Sequence, residues 1–349
     1  MTTTRDIELS GCDIGPDWMI GSRTRRVDSW SPNLEQILMP RIHIEPRQIK
    51  LTLADGISDL SQDRLSNLAR RLPLQRFRKA VEVGGVLYDT RFDTSHNYAH
   101  VMINLIGRLL LAKSEGLVED LSNVCVIVPK NAPTYAHEAW KIAGVRVEAT
   151  NLPVAGRHLT LSSSSNAALM LRAEWARHFA SRIAPLANGP KKLYVSRRGK
   201  RCATNDAQIR ELLESRGYTT IFPEEHSVEK QLAYFLHAED IVAVHGAGLA
   251  GLVLKTASNR CRLIEIFGAG YVVQLYRILT RCIGCDWLGV RGTINPGDVK
   301  IDSDSNGTRR RQAASFAVDI DALKLALDMD SNWIAEGRRC TSASTIVLK

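Results

Sequence analysis

The chain has no run of eighteen or more apolar residues, so no stretch is long enough to cross a bilayer as a helix. Its first residues, Met1-Thr-Thr-Thr-Arg-Asp-Ile-Glu8, lack the apolar core of a secretory signal. A cytoplasmic location is therefore expected, with peripheral attachment to an inner membrane through the basic arms as its variant. Cysteine is scattered: seven residues, at 12, 125, 202, 261, 282, 285 and 340. The odd count and irregular spacing argue against a disulfide framework. The lone Cys282-Ile-Gly-Cys285 pair cannot complete a tetrahedral zinc site by itself, and is expected to pack as small apolar residues at a helix end. Aromatic residues make up only 6%, little material for base-stacking platforms. Acidic residues are outnumbered, 37 against 46 Lys and Arg, for a net charge of +9. That excess suits an anionic partner: nucleic acid, a membrane surface or a phosphate-bearing substrate.

What is present is an ordinary soluble composition, 44% hydrophobic and 24% charged, over 349 residues, enough for two domains. The stretch from Asp240 to Gly251 organises the chain. Ile241 to Val244 reads as a buried parallel strand. His245 ends it, glycines follow at 246, 248 and 251, and a helix is expected from Leu249 to Ala257. A strand–glycine turn–helix aims free backbone N–H groups and a positive helix end at an anion, most naturally a phosphate or diphosphate. Gly246-x-Gly248-x-x-Gly251 also matches the dinucleotide fingerprint, and Glu265 falls where a ribose-binding carboxylate is expected. A nicotinamide- or flavin-dependent oxidoreductase therefore stays open. So does a basic nucleic-acid-binding protein, on the Arg clusters at 197–201 and 308–311.

Residues 1–50 read as a polar, poorly ordered arm. Residues 57–80 suggest a helix broken at Pro73. Residues 51–188 alternate strand and helix, with a strand from Val81 to Tyr88 and a helix from about Asn97 to Lys113. A long amphipathic helix from Asn166 leads to the Asn188-Gly189-Pro190 linker. Residues 191–295 form a second, more regular α/β domain, with strands near Leu193, Tyr218, Ile241 and Leu263. Residues 296–349 read as a loop, a short helix and a tail. Two parallel-sheet domains facing across a cleft are the expected architecture, with ligands at strand ends.

Within that frame, Arg197 at a strand end suits a diphosphate through charge-assisted hydrogen bonds. Asn205 caps a helix or reaches the same ligand. His245 suits a phosphate, a sugar hydroxyl or a leaving group. His100, at a helix start beside Asn97 and Tyr98, is a candidate base for an acceptor hydroxyl, with Asp93 as its rival. Glu229 and Gln231 are candidates for orienting a ribose or sugar. Asp302-Ser-Asp304 looks like a metal-holding pair but lies in a Ser/Asn/Gly loop, and no metal site is assigned.

These motifs together resemble glycosyltransferase family 61. The likeness rests on Leu193-Tyr-Val-Ser-Arg197, Thr204-Asn-Asp206, Phe222-Pro-Glu224, Glu229-Lys-Gln231, Ile241-Val-Ala-Val-His-Gly-Ala-Gly-Leu249 and Leu263-Ile-Glu265. Asn97-Tyr-Ala-His100 is similar to an upstream helix of the family. The resemblance implies a GT-B fold of two Rossmann-like domains. It implies an inverting, metal-independent transfer from a nucleotide-sugar, commonly a UDP-sugar, to a glycan or lipid-linked acceptor in surface polysaccharide synthesis, with no further cofactor and no nucleic-acid partner. Residues 51–188 would then serve the acceptor and 191–295 the donor. Arg197, Asn205 and His245, Gly246, Ala247, Gly248 and Leu249 would hold the donor diphosphate, Glu265 would lie near the ribose, and His100 would face the acceptor. Asn104, Asp206, Gly251 and Gly107-Arg108 depart from the family pattern, and put the acceptor side in question.

Overall fold

The computed structural model describes residues 2–9, 11–22, 34–58, 79–93, 95–161, 178–256, 259–268, 271–293, 315–329 and 346–347. Residues 59–78 of the helix expected over 57–80, the first part of the Asn166 helix, the Asp302-Ser-Asp304 loop, the 308–311 Arg cluster and most of the tail lie outside the described residues.

The expected arm is instead strand: β1 (Thr3–Leu9), β2 (Cys12–Ile14), β3 (Asp17–Ser22), β4 (Leu34–Met39), β5 (Ile42–Ile44) and β6 (Arg47–Ser58). In β6 the reason is visible. Ile49, Leu51 and Leu53 are buried while Gln48 and Lys50 are exposed, the period-two pattern of a half-covered strand. A few alternating apolar residues suffice for such a strand, even in a polar segment.

The chain folds as two compact units. Unit 1, Met1–Gly11 with Glu45–Ala184, adds β7 (Val81–Asp89), α1 (Ile106–Ser114), β8 (Val124–Val128), α2 (Thr134–Ala143), β9 (Arg146–Ala149) and β10 (Val154–Leu161). Its sheet runs β1-β6-β10-β7-β8-β9. The β10, β7, β8 and β9 strands are parallel, but β6 is antiparallel to both β1 and β10. The sheet is thus mixed rather than wholly parallel, because the N-terminal strands build its antiparallel side. A single π-helical segment, His100–Leu105, precedes α1.

Unit 2, Cys12–Ile44 with Pro185–Lys349, holds β11 (Lys192–Val195), α3 (Asp206–Ser215), β12 (Thr219–Ile221), α4 (Val228–His237), β13 (Asp240–Val244), β14 (Arg262–Phe267), α5 (Leu275–Cys282), β15 (Asp286–Arg291), α6 (Ile320–Asp328) and β16 (Ile346–Val347). The sheet order is β12-β11-β13-β14-β15-β3-β4-β16. The first six strands are parallel, and β4 and β16 add an antiparallel edge. Four or more consecutive residues of β13 and β14 are buried, as a strand covered on both faces requires. Trp18 and Ile20 of β3 join Tyr194, Val242, Ile264 and Leu288 in one core. Arg277 of α5, fully buried, pairs with Asp17 at 2.9 Å and also donates to the Gly15 and Pro40 carbonyls, tying the N-terminal segment to this unit.

The two cysteines of the C-x-x-C pair face different partners. Cys282 Sγ lies 3.7 Å from Cys12 Sγ, and Cys285 Sγ lies 3.3 Å from Cys261 Sγ. No described helix is long and apolar enough to cross a membrane.

Candidate functional site

Sheet topology places the site in unit 2. The chain order of its strands reverses between β11 and β13, each flanked by later strands on its outer side. In a doubly wound sheet, the carboxyl ends of strands at such a reversal open the crevice where ligands bind. Arg197 follows β11 there, and His245 and Gly246 follow β13.

Asp206 braces the β11 end. Its Oδ1 accepts from Tyr194 Oη at 2.8 Å and Ser196 Oγ at 2.6 Å, and its Oδ2 accepts from Arg210 Nε at 2.9 Å. The start of α3 is thereby fastened to the residues on either side of Val195, which fixes where Arg197 leaves the sheet. Arg197 itself is partly buried and makes no hydrogen bond or ion pair with a described residue. Burial, and then the charge of Arg201, push its guanidinium below its ordinary range, with Glu224 opposing them. A cation so placed is stabilised by an arriving anion. Its neighbour is different: Arg198 donates its backbone N–H to Glu224 and its Nε to Glu225, each at 2.7 Å, and lies over the Phe222 ring.

The glycines of the turn each make room for a particular group. A Cβ on Gly246 would stand 2.3 Å from Arg197 Nη1, so the guanidinium occupies the space of the missing side chain. A Cβ on Gly248 would meet Pro223 at 2.9 Å, and one on Gly251 would strike the Phe235 ring of α4 at 2.3 Å. The segment Ala247–Leu254 is a 3₁₀ helix rather than the expected α-helix from Leu249 to Ala257, and it is buried from Leu249 onward. Its first N–H groups, on Ala247 and Gly248, have no earlier carbonyl within the helix to bond. Leu249 points into the core, and its N–H is held by the Gly246 carbonyl at 3.1 Å.

His245 is almost buried. Its Nδ1–H donates to Glu265 Oε1 at 2.6 Å, and Glu265 Oε2 accepts from Trp287 Nε1–H at 2.7 Å. Glu265 is fully buried with both oxygens engaged. Where the sequence reading put Glu265 near a ribose, its carboxylate faces His245 inside the protein. The dinucleotide-fingerprint reading loses its ribose carboxylate for the same reason.

Other expected donor contacts are also engaged elsewhere. The Asn205 amide forms a two-way clamp with Val318: Nδ2 donates to its carbonyl at 2.8 Å, and Oδ1 accepts from its N–H at 2.9 Å. Gln231 Nε2 donates to the Pro223 and His226 carbonyls at 2.8 and 2.9 Å, shaping the loop that meets Gly248. Glu229 is solvent-exposed in the first turn of α4, where negative charge suits the helix dipole. The structure thus collects Arg197, His245 and the turn from Gly246 to Gly248 at one place, and assigns Asn205, Gln231 and Glu265 to supporting bonds. Sequence reasoning missed Asp206 as the brace and Trp287 as the second donor to Glu265. The Tyr-x-Ser-Arg spacing, two hydroxyls flanking a strand end before an acid, was the available signal for the first.

Unit 1 carries a second polar group beyond β7. Asn97 Oδ1 accepts from the Ala99 N–H at 3.0 Å at the helix start. The first turns are then π-helical, an arrangement frequent at functional positions. His100 Nδ1 lies 2.8 Å from Asn104 Nδ2, one helical turn on. Burial, then the charge of Arg108, hold His100 below its ordinary value, with Asp93 opposing. Both Asp93 oxygens accept from Arg108 Nη1, at 3.2 and 3.1 Å. Ser95 Oγ, Tyr98 Oη and Asn104 Oδ1 are buried without a hydrogen-bond partner among the described residues. Several such atoms in one short segment mark a place where a polar ligand or water completes the bonding. Among the described residues, no three His, Cys, Asp or Glu side chains converge as metal ligands.

No curated protein matches the chain. Residues 98–264 match the family described as Glycosyltransferase 61, a span that runs from the His100 helix to the β14 strand. The motifs at both polar groups fall within it or at its edge, and the match supports a transferase of glycosyltransferase family 61.

Proposed function

We propose that the protein transfers a sugar from a nucleotide-sugar, a UDP-sugar, to a hydroxyl of a glycan or lipid-linked acceptor, with inversion and without a bound metal. The observation that carries this reading is Arg197: a partly buried cation that bonds to no anion among the described residues, lying against Gly246 beside the first N–H groups of the turn. In a single displacement, the acceptor oxygen bonds to the anomeric carbon as the bond to the nucleotide diphosphate breaks. The electron pair leaves with the diphosphate oxygen. Arg197 and the turn N–H groups are suited to that developing charge, a task a metal ion performs elsewhere. His100, held neutral by its surroundings, is suited to take the acceptor proton. Asp93 is the less available of the two, because Arg108 already engages both its oxygens. Unit 2 would then be the donor half and unit 1 the acceptor half of a GT-B enzyme, working in surface polysaccharide synthesis at the cytoplasmic side.

The test is incubation of the full chain with a panel of UDP-sugars and a metal chelator, with NMR reading the anomeric configuration of the product. An α-linked donor should give a β-configured product while chelator is present. Retained configuration, or turnover only when a divalent metal is restored, would contradict the mechanism.

A further inference from the structure

A carboxylate in a fully covered strand needs hydrogen-bond donors to be tolerated. Glu265 has one for each oxygen, His245 Nδ1–H at 2.6 Å and Trp287 Nε1–H at 2.7 Å. Since a carboxylate only accepts, His245 carries a proton on Nδ1. The imidazole is held on its other sides by Phe267, stacked at 5.1 Å between centroids, and by the edges of Tyr271 and Tyr276 at 5.6 and 5.8 Å. Its Nε2 is the ring nitrogen without a hydrogen bond to any described residue. The charged groups around it are few. Glu265 faces it from β14, and Arg197 lies against the adjoining Gly246. Arg201, whose charge acts on Arg197, lies over Tyr271. Arg277 on α5 is committed to Asp17.

Resting on the donor-site reading, we infer that Glu265 is a positioning residue for His245, and that the two form a dyad that takes up a proton when the nucleotide diphosphate binds. With Nδ1–H held by Glu265, Nε2 is the atom presented to the ligand. A neutral imidazole would turn a lone pair toward the anion. A proton from solvent, bound at Nε2, converts that repulsion into a charge-assisted hydrogen bond, and the Glu265 charge offsets the imidazolium formed. Trp287 keeps the carboxylate aimed at His245. The dyad thereby supplies a second cation beside Arg197 only while the donor is bound.

The experiment is calorimetric titration of the full chain with UDP at mildly alkaline pH, in two buffers of different ionisation enthalpy, which counts protons exchanged. The wild type should take up about one proton per UDP, since one imidazole titrates. Glu265→Gln should bind UDP with the uptake largely lost, because an amide oxygen cannot serve both donors or balance the imidazolium; its turnover should fall more than its donor KM rises. His245→Gln should bind UDP without uptake, which keeps the test decisive if the Glu265 variant fails to fold. Equal uptake in wild type and His245→Gln, or no uptake in the wild type, would overturn the dyad while leaving the donor site standing. Absence of UDP binding by the wild type would overturn the donor reading and the dyad with it.

Discussion

At the residue scale, the site is defined by what individual groups lack. Gly246 lacks a side chain, and Arg197 fills the space; Arg197 bonds to no anion among the described residues, and a diphosphate would supply one. Their place at the strand ends was legible in the sequence, because residues that follow a buried strand in an α/β sheet stand at the ligand edge; that Arg197 itself fills the space at Gly246 was not. Glu265 was not. Spacing locates it one strand after His245, but only the three-dimensional register shows its carboxylate enclosed between an imidazole and an indole. A sequence pattern of Leu263-Ile264-Glu265-Ile266 shows an acid in a covered strand without showing which way its bonds run. His100 permits a prediction at this scale. Burial and Arg108 lower its proton affinity, and a base must be neutral to act. The rate should therefore stay flat through neutrality and fall only on the acid side, at a pH below the ordinary histidine value of about 6.5. A pH–rate profile checks this: His100→Gln should lose most of the activity and that acid limb. An unchanged limb would assign the proton transfer elsewhere.

At the element scale, the alternation of strand and helix from β11 to α5 was readable because each strand is a short apolar run closed by a helix cap or a glycine. The N-terminal strands were not. β3 pairs with β15, and Met19 lies beside Gly289 across most of the chain length, so no local pattern announces the pairing. Its anchor is equally non-local: Arg277 in α5 and Asp17 at the start of β3, both fully buried. Breaking a buried pair by removing one partner leaves an uncompensated charge and costs roughly 3–5 kcal/mol. Arg277→Ala should accordingly lower the stability of the folded chain by about that amount in denaturant titration, through loss of the Asp17, Gly15 and Pro40 bonds together. A change well under 1 kcal/mol would mean that the N-terminal segment is held chiefly by its apolar residues, Trp18 and Ile20. The π-helical opening of the His100 segment was likewise hidden, since its apolar spacing fits an ordinary α-helix.

At the scale of the whole molecule, each of the two units brings its own sheet and its own polar group, and the N-terminal residues serve both sheets. Stability should carry a pH signature. Burial pushes both His100 and His178 below their ordinary value. Below about pH 6.5 the unfolded chain binds protons that the folded chain refuses. Stability should thus be level above that pH and decline as the pH falls toward the folded-state values. Thermal melts across this range, with His178→Asn reducing the decline, check the sign. The central claim, that unit 2 holds a nucleotide diphosphate through Arg197, is tested most directly by measuring UDP affinity in wild type and Arg197→Ala with chelator present. The account predicts tight, metal-independent binding that weakens by about 10²-fold in the variant, the equivalent of losing one charge-assisted contact of roughly 2–3 kcal/mol. Equal affinity in the two proteins would contradict it.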